Sequence, residues 1–266
     1  MILTVDHKKA FAYTGGQPFD PGRPTIVFIH GAAHDHSVWA LQSRYFAHHG
    51  CNVLALDLPG HGRSERPLLD AVPAMADWVM RLCDAAGVHE VSLVGHSMGS
   101  LIAVEAASRN PERIKKLALL GTAYPMHVSD ALLDAARDNE PEAWQMVNVW
   151  SHAPAMLMGG NPNPGMWLLG RNLRVMQHCA PGVMYSDLKA CNDYRGGEAA
   201  TARVTCPTLL LLGRRDLMTP PKVGATLGKA ITSSRTVVID GAGHSMMAEA
   251  PDAVLDALIG FVIQGR

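Results

Sequence analysis

Val91-Ser92-Leu93-Val94-Gly95-His96-Ser97-Met98-Gly99 is the stretch from which the rest of the chain can be read. Val91 to Val94 form a mostly apolar run of strand length. The residues after Ser97 carry Leu101, Ile102, Val104 and Ala106 at helical spacing. A strand, a tight turn and a helix in that order put a serine at the apex, strained so that its hydroxyl stands out at the end of a sheet. Glycines flank it because larger side chains would strike the neighbouring strand and helix. Ser97 also opens the helix, where unpaired N–H groups and the positive end of the dipole favour developing negative charge. In that context Ser97 is a candidate nucleophile. Alone, Gly-x-Ser-x-Gly would equally describe a plain glycine-rich turn.

Working outward, 266 residues suffice for a large core in one α/β domain or two small ones. With 48% hydrophobic and 18% charged residues the composition is globular, not disordered. A formal net charge of -1 gives no global field for nucleic acid or an anionic membrane. Met1 to Asp6 do not read as a secretory signal, and no apolar run approaches a membrane span. Cys51, Cys83, Cys179, Cys191 and Cys206 are odd in number and scattered, which fits reduced thiols in a cytoplasmic protein.

Apolar runs recur with helical segments between them: Thr25–Ile29, Val53–Leu56, Val91–Val94, Leu117–Leu120, Thr208–Leu212 and Thr236–Ile239. That rhythm predicts an α/β fold, a mostly parallel central sheet with helices on both faces. It breaks between Thr122 and Pro207, where helical pieces are separated by proline and glycine and no strand is expected. The expected division is a core of residues 1–121 and 208–266 with a helical cap inserted at 122–207. Such an insertion has no part in building the sheet and is usually functional. The stretch from Gly159 to Gly165 is its expected hinge.

A serine hydroxyl needs a base to take its proton, and the base needs an acid to hold its tautomer. Partners of Ser97 should sit on loops leaving the C-terminal ends of other strands. Two loops qualify: Gly213-Arg214-Arg215-Asp216 and Gly241-Ala242-Gly243-His244. His244 stands out among 13 histidines because it follows a glycine turn at a strand end. Asp216 is preferred to Asp240 as the acid, since the short loop from Asp240 would struggle to reach around His244. Its plain reading is an Asx-turn or cap for the following helix. Backbone N–H groups of Ala32, in the loop His30-Gly31-Ala32-Ala33, and of Met98 are the expected oxyanion donors. His30 reads as a residue that fixes this loop. His34-Asp35-His36 has ligand-type side chains close together, but the reading preferred here is a loop without a metal.

Together these segments resemble the α/β-hydrolase superfamily, in its serine esterase and lactonase-like branch. The resemblance rests on His30-Gly31, Asp57 to Ser64, Gly95 to Gly99, Asp216 and His244, in that order, and covers nearly all the chain outside the insertion. It implies Ser97 as nucleophile, Asp216 as acid and His244 as base, a lid at 122–207 and no cofactor. Ser97 stands where dehalogenases and epoxide hydrolases of the superfamily carry aspartate, which disfavours those reactions. Ser245 and Met246 follow His244 where carbon–carbon bond hydrolases often place tryptophan.

The insertion is supplied with Trp and Met, which suit an adaptable apolar pocket, and Trp144 and Trp167 are the expected substrate-binding residues. Arg171 and Arg174 read as solvated. The sequence therefore predicts a small-molecule carboxylic ester of mostly apolar character as substrate, with neither nucleic acid nor membrane as partner. A lactone hydrolase, a cofactor-free perhydrolase and a carbon–carbon hydrolase are alternatives on the same three residues. A non-catalytic ligand receptor is the alternative of another class.

Overall fold

A computed structural model describes residues 1–20, 22–161 and 165–263. Strands β1 (Ile2–Val5), β2 (Lys8–Tyr13) and β3 (Thr25–Ile29) come first, followed by helix α1 (Ala40–His48) and β4 (Asn52–Leu56). Then come α2 (Val72–Ala85), β5 (Val91–His96), α3 (Met98–Arg109) and β6 (Ile114–Leu120). Helices α4 (Asp130–Asp138), α5 (Glu140–Trp150), α6 (Pro154–Leu157), α7 (Leu168–His178), α8 (Val183–Asp193) and α9 (Gly197–Ala202) fill the insertion. The chain closes with β7 (Thr208–Gly213), α10 (Pro221–Lys229), β8 (Ser234–Ile239), α11 (Met246–Glu249) and α12 (Pro251–Val262).

The strands form one sheet in the order β1-β2-β4-β3-β5-β6-β7-β8. From β4 to β8 every pairing is parallel; β1 and β2 add an antiparallel edge. Neighbouring side chains on a strand point to opposite faces, and the two cores follow from that. Val27 and Ile29 of β3 pack with α2 and α3, while Ile26 and Phe28 pack with Trp39, Phe46 of α1 and Leu258 of α12. Burying each such side chain contributes about 1.5–3 kcal/mol. The antiparallel hairpin was not expected from the sequence.

Among the described residues six helices stand between β6 and β7, and β6 still pairs directly with β7, Leu117 opposite Thr208. These helices have a small core of their own, including Leu132, Val147, Met176, Met184 and Leu188. Ala33, from the loop after β3, is buried in that same cluster. The expected hinge at Gly159–Gly165 includes residues 162–164, which lie outside the described residues.

Candidate active site

Ser97 occupies the turn between β5 and α3 with φ 53° and ψ -120°, a conformation rarely taken by a side-chain-bearing residue. Two close approaches impose it. A Cβ on Gly95 would lie 2.2 Å from the carbonyl oxygen of Gly99, and one on Gly99 would lie 2.3 Å from that of Ile29. The Ser97 N–H donates to Leu120 O at 3.0 Å, tying the turn to the next strand.

His244 and Asp216 come together as expected. Asp216 Oδ2 accepts from His244 Nδ1 at 2.8 Å and from the Thr219 hydroxyl at 2.7 Å. Its Oδ1 accepts the N–H groups of Met218 and Thr219 at 2.9 and 2.8 Å. The Asx-turn and the histidine partner are therefore one carboxylate doing both. Burial alone would raise this carboxyl; the attraction and hydrogen bond of His244, with the Thr219 donors, hold it below the usual range. Asp240 instead stands at the surface in an ion pair with Arg214. Asp216→Asn should accordingly lower kcat about 10³–10⁴-fold, while Asp240→Asn, which loses only an exposed ion pair, should stay within about two-fold of wild type. Steady-state kinetics of the two variants decide it, and a larger loss in Asp240→Asn would reverse the assignment.

Ser97 and His244 line a cavity of about 430 Å³, with Trp150, Val147, Met184 and Leu188 of the insertion among its walls. Trp144 and Trp167 do not line it. Trp144 packs at the edge of the insertion's own core. Trp167 precedes α7 and is 76% exposed, its ring lying over Gly170. Trp150, at the end of α5, takes the place expected of them. Helical phase separates the two residues of α5: six positions apart, Trp144 and Trp150 point to different sides.

The loop after β3 brings Ala32 to the cavity wall beside Ser97. Among the described residues no protein acceptor takes the N–H of Ala32 or of Met98. His30 fixes the loop as expected: Nδ1 donates to Gly31 O at 2.8 Å and Nε2 accepts the Leu58 N–H at 3.1 Å. Burial holds its pKa well below the ordinary value, so it is neutral. Ala33 has φ 52°, which costs a non-glycine residue about 1–2 kcal/mol.

Asp35, His36 and Asp57 have ligand-type atoms within 4.8 Å of one another. Each carboxylate already serves the backbone. Asp57 takes the N–H groups of His36 and Arg63 and His36 Nδ1, and Asp35 takes the N–H of Ser37.

Three residues with structural duties at the site gave no sequence signal of them. His96 donates from Nε2 to His244 O at 3.0 Å, and burial keeps its pKa well below the ordinary value. Buried Glu249 accepts the N–H of Gly243, beside His244, at 3.1 Å and that of Ala153, in the insertion, at 2.9 Å. Burial raises its pKa. Asp187 of α8 is fully buried; its Oδ2 accepts from Ala33 N and from His61 Nε2, each at 2.8 Å.

Residues 24–147 match a family model described as alpha/beta hydrolase fold, and residues 183–266 one described as TAP-like protein. The chain is 25% identical to (E)-2-((N-methylformamido)methylene)succinate hydrolase of Acinetobacter baylyi, covering 89% of each chain. It is 28% identical to the pimeloyl-acyl-carrier-protein methyl ester esterase of Chromobacterium violaceum, over 84% of this chain and 87% of that one. Among solved structures, the enol-lactonase from Burkholderia xenovorans superposes with a TM-score of 0.87 at 24% identity, covering 98% of this chain and 99% of the other. The family match over residues 24–147, the sheet order and the superposition agree that the chain has the α/β-hydrolase fold. No helix among the described residues is long and apolar enough to cross a membrane.

Proposed function

We propose that the chain is a serine hydrolase of carboxylic esters with small, mostly apolar acyl or alkoxy groups. The observation that carries this reading is the hydrogen-bonded pair His244–Asp216 facing the same apolar cavity as the strained Ser97. Asp216 holds the His244 Nδ1 proton, leaving Nε2 as the base. His244 takes the Ser97 hydroxyl proton as Oγ bonds to the ester carbonyl carbon, and the resulting oxyanion is met by the N–H groups of Ala32 and Met98. The intermediate collapses as the carbon–oxygen bond to the alcohol breaks and His244 returns the proton to it. Water, deprotonated by His244, then attacks the acyl-enzyme; the acid leaves and Ser97 regains its proton. No step calls for a cofactor. Two sequence relatives bear the names of a hydrolase of a formamido-succinate and of a methyl ester esterase, which agrees with acyl chemistry without selecting the substrate.

A panel of p-nitrophenyl esters and lactones, run with phosphonate titration of the serine, tests the reading. Turnover of esters with one reactive serine per chain is expected. Turnover of lactones alone would move the assignment to a lactone hydrolase, and no turnover with no titration to a ligand receptor.

The cavity wall should then set chain-length preference. Each further buried methylene adds about 0.8 kcal/mol, so KM should fall a few-fold per carbon until the cavity is full. Trp150→Ala should shift the preferred acyl length upward while titration still counts one serine per chain. An unchanged ranking in kcat/KM across the ester series would take Trp150 out of that role.

A further inference from the structure

The loop that carries Ala32 is tied to the inserted helices at three atoms. The N–H of Ala33 donates to Asp187 Oδ2 of α8 at 2.8 Å. The thiol of Cys179, just after α7, donates to the Ala33 carbonyl at 3.3 Å; burial pushes that thiol up to about 12, so it keeps its proton. The carbonyl of Ala32 accepts from His34 Nδ1 at 2.6 Å, and His34 Nε2 meets Asn172 Oδ1 of α7 at 2.8 Å. The peptide between Ala32 and Ala33 thus has its C=O and its N–H each fixed by a chain of contacts ending in the insertion. Fixing this plane fixes the Ala32 residue before it, whose own N–H is the oxyanion donor of the proposed reaction.

Asp187 is the unusual member of this set. It is fully buried, its Oδ1 has no hydrogen-bond partner among the described residues, and burying a carboxylate in that way is costly. His61, 2% exposed, balances its charge. Both ring nitrogens of His61 face acceptors, Pro59 O at 3.2 Å and Asp187 Oδ2 at 2.8 Å, which only the doubly protonated ring satisfies. Desolvation opposes that charge and Asp187 overcomes it, leaving the His61 pKa raised. A charged acceptor makes the stronger hydrogen bond to a backbone N–H. Here it is spent on Ala33, a non-glycine residue held at positive φ.

We propose that Asp187 is a positioning residue through which the inserted helices hold the oxyanion turn in its working conformation. This rests on the ester-hydrolase reading and deepens it: the insertion acts on the transition state as well as on the choice of substrate. The carboxylate does not touch the reacting atoms. It acts through Ala33 on the direction of the Ala32 N–H.

The test compares wild type, Asp187→Ala and Asp187→Asn with p-nitrophenyl butyrate as substrate, a phenylboronic acid as mimic of the tetrahedral adduct, and a phosphonate for titration. Losing one oxyanion donor outright costs about 10²–10³ in kcat, so a donor left in place but loosened should cost less. Asp187→Ala should lower kcat about 10–100-fold with KM within about two-fold, at the low end of and below that range. The boronate should bind more weakly by the same factor. Asp187→Asn, which keeps an acceptor for Ala33, should recover part of both losses. Folding is checked by circular dichroism; should Asp187→Ala not fold, Asp187→Asn carries the test, with a loss of about 3–10-fold expected in kcat and in boronate affinity alike. A folded variant with lowered melting temperature but unchanged kcat and boronate affinity overturns the proposal, as does a loss confined to KM. A wild type that the phosphonate does not label overturns the ester-hydrolase reading and this one with it; a labelled wild type with unaltered variants overturns this one alone.

Discussion

Ser97→Ala is expected to leave the fold intact and lower kcat by about 10⁴–10⁶-fold. The fold should survive because the conformation at position 97 is imposed by Gly95, Gly99 and the bond from Ser97 N to Leu120 O, none of which involves the hydroxyl. The alanine still meets positive φ, a strain already present with serine. What disappears is the only side chain in the proposed reaction that bonds to the carbonyl carbon. Residual turnover would then come from the oxyanion donors and the cavity acting on water. Circular dichroism, kcat and mass spectrometry after phosphonate treatment read the three parts separately. A phosphonate adduct on another residue, or activity within ten-fold of wild type, would remove Ser97 from the mechanism.

His244→Ala should be nearly as damaging as the serine change, because residues that act as a unit lose most of their effect together. Its signature is in pH. In the wild type kcat/KM should fall on acidification, since a protonated imidazole cannot accept the Ser97 proton, whereas the residual activity of His244→Ala should lack that limb. Stability adds a second acid effect. Burial keeps the folded-state pKa values of His30, His96 and His152 below the ordinary histidine value of about 6.5. Above that pH they are neutral in both folded and unfolded chains and contribute no pH dependence. Below it the unfolded chain takes up protons that these sites refuse, so stability falls with pH until the folded values are reached. Raised His61 works the other way, its contribution present below its unfolded value and lost as pH rises through the folded one. Initial rates followed with circular dichroism separate reversible loss of the base from unfolding. A flat rate profile from mildly acidic to neutral pH would exclude a histidine base.

The sheet and its helices were legible because each leaves a local mark, apolar runs and helical spacing, and turns at strand ends marked Ser97, Asp216 and His244 as candidates. The β1–β2 hairpin leaves none. Its turn, Asp6-His7, takes positive φ at both residues without glycine or asparagine to announce it, and β2 opens with two exposed lysines. Trp150 could have been preferred to Trp144 only by knowing which face of α5 looks inward. Asp187 is harder still. It meets Ala33 across 154 positions of sequence, and nothing in the neighbourhood of either residue points to the other. Its partner His61 lies in the stretch Asp57 to Ser64, 126 positions away in sequence.

The pairing of β6 with β7 across the whole insertion bears on the order in which the molecule assembles. Closing a loop costs only about 0.6 kcal/mol more for each doubling of its length, so the inserted helices are thermodynamically cheap to carry. Kinetically they are not, because distant strands must find each other before the contacts between them repay the search. As the chain emerges from the ribosome, Ser97 and its turn can form against β3 and β6 while Asp216 and His244 are still unmade. Until β7 arrives, β6 presents an open edge to whatever other strand is near. Ser97 is thus in the early part of this molecule and His244 in the late one, and an interrupted synthesis would leave six of the eight strands with an open edge prone to pair wrongly.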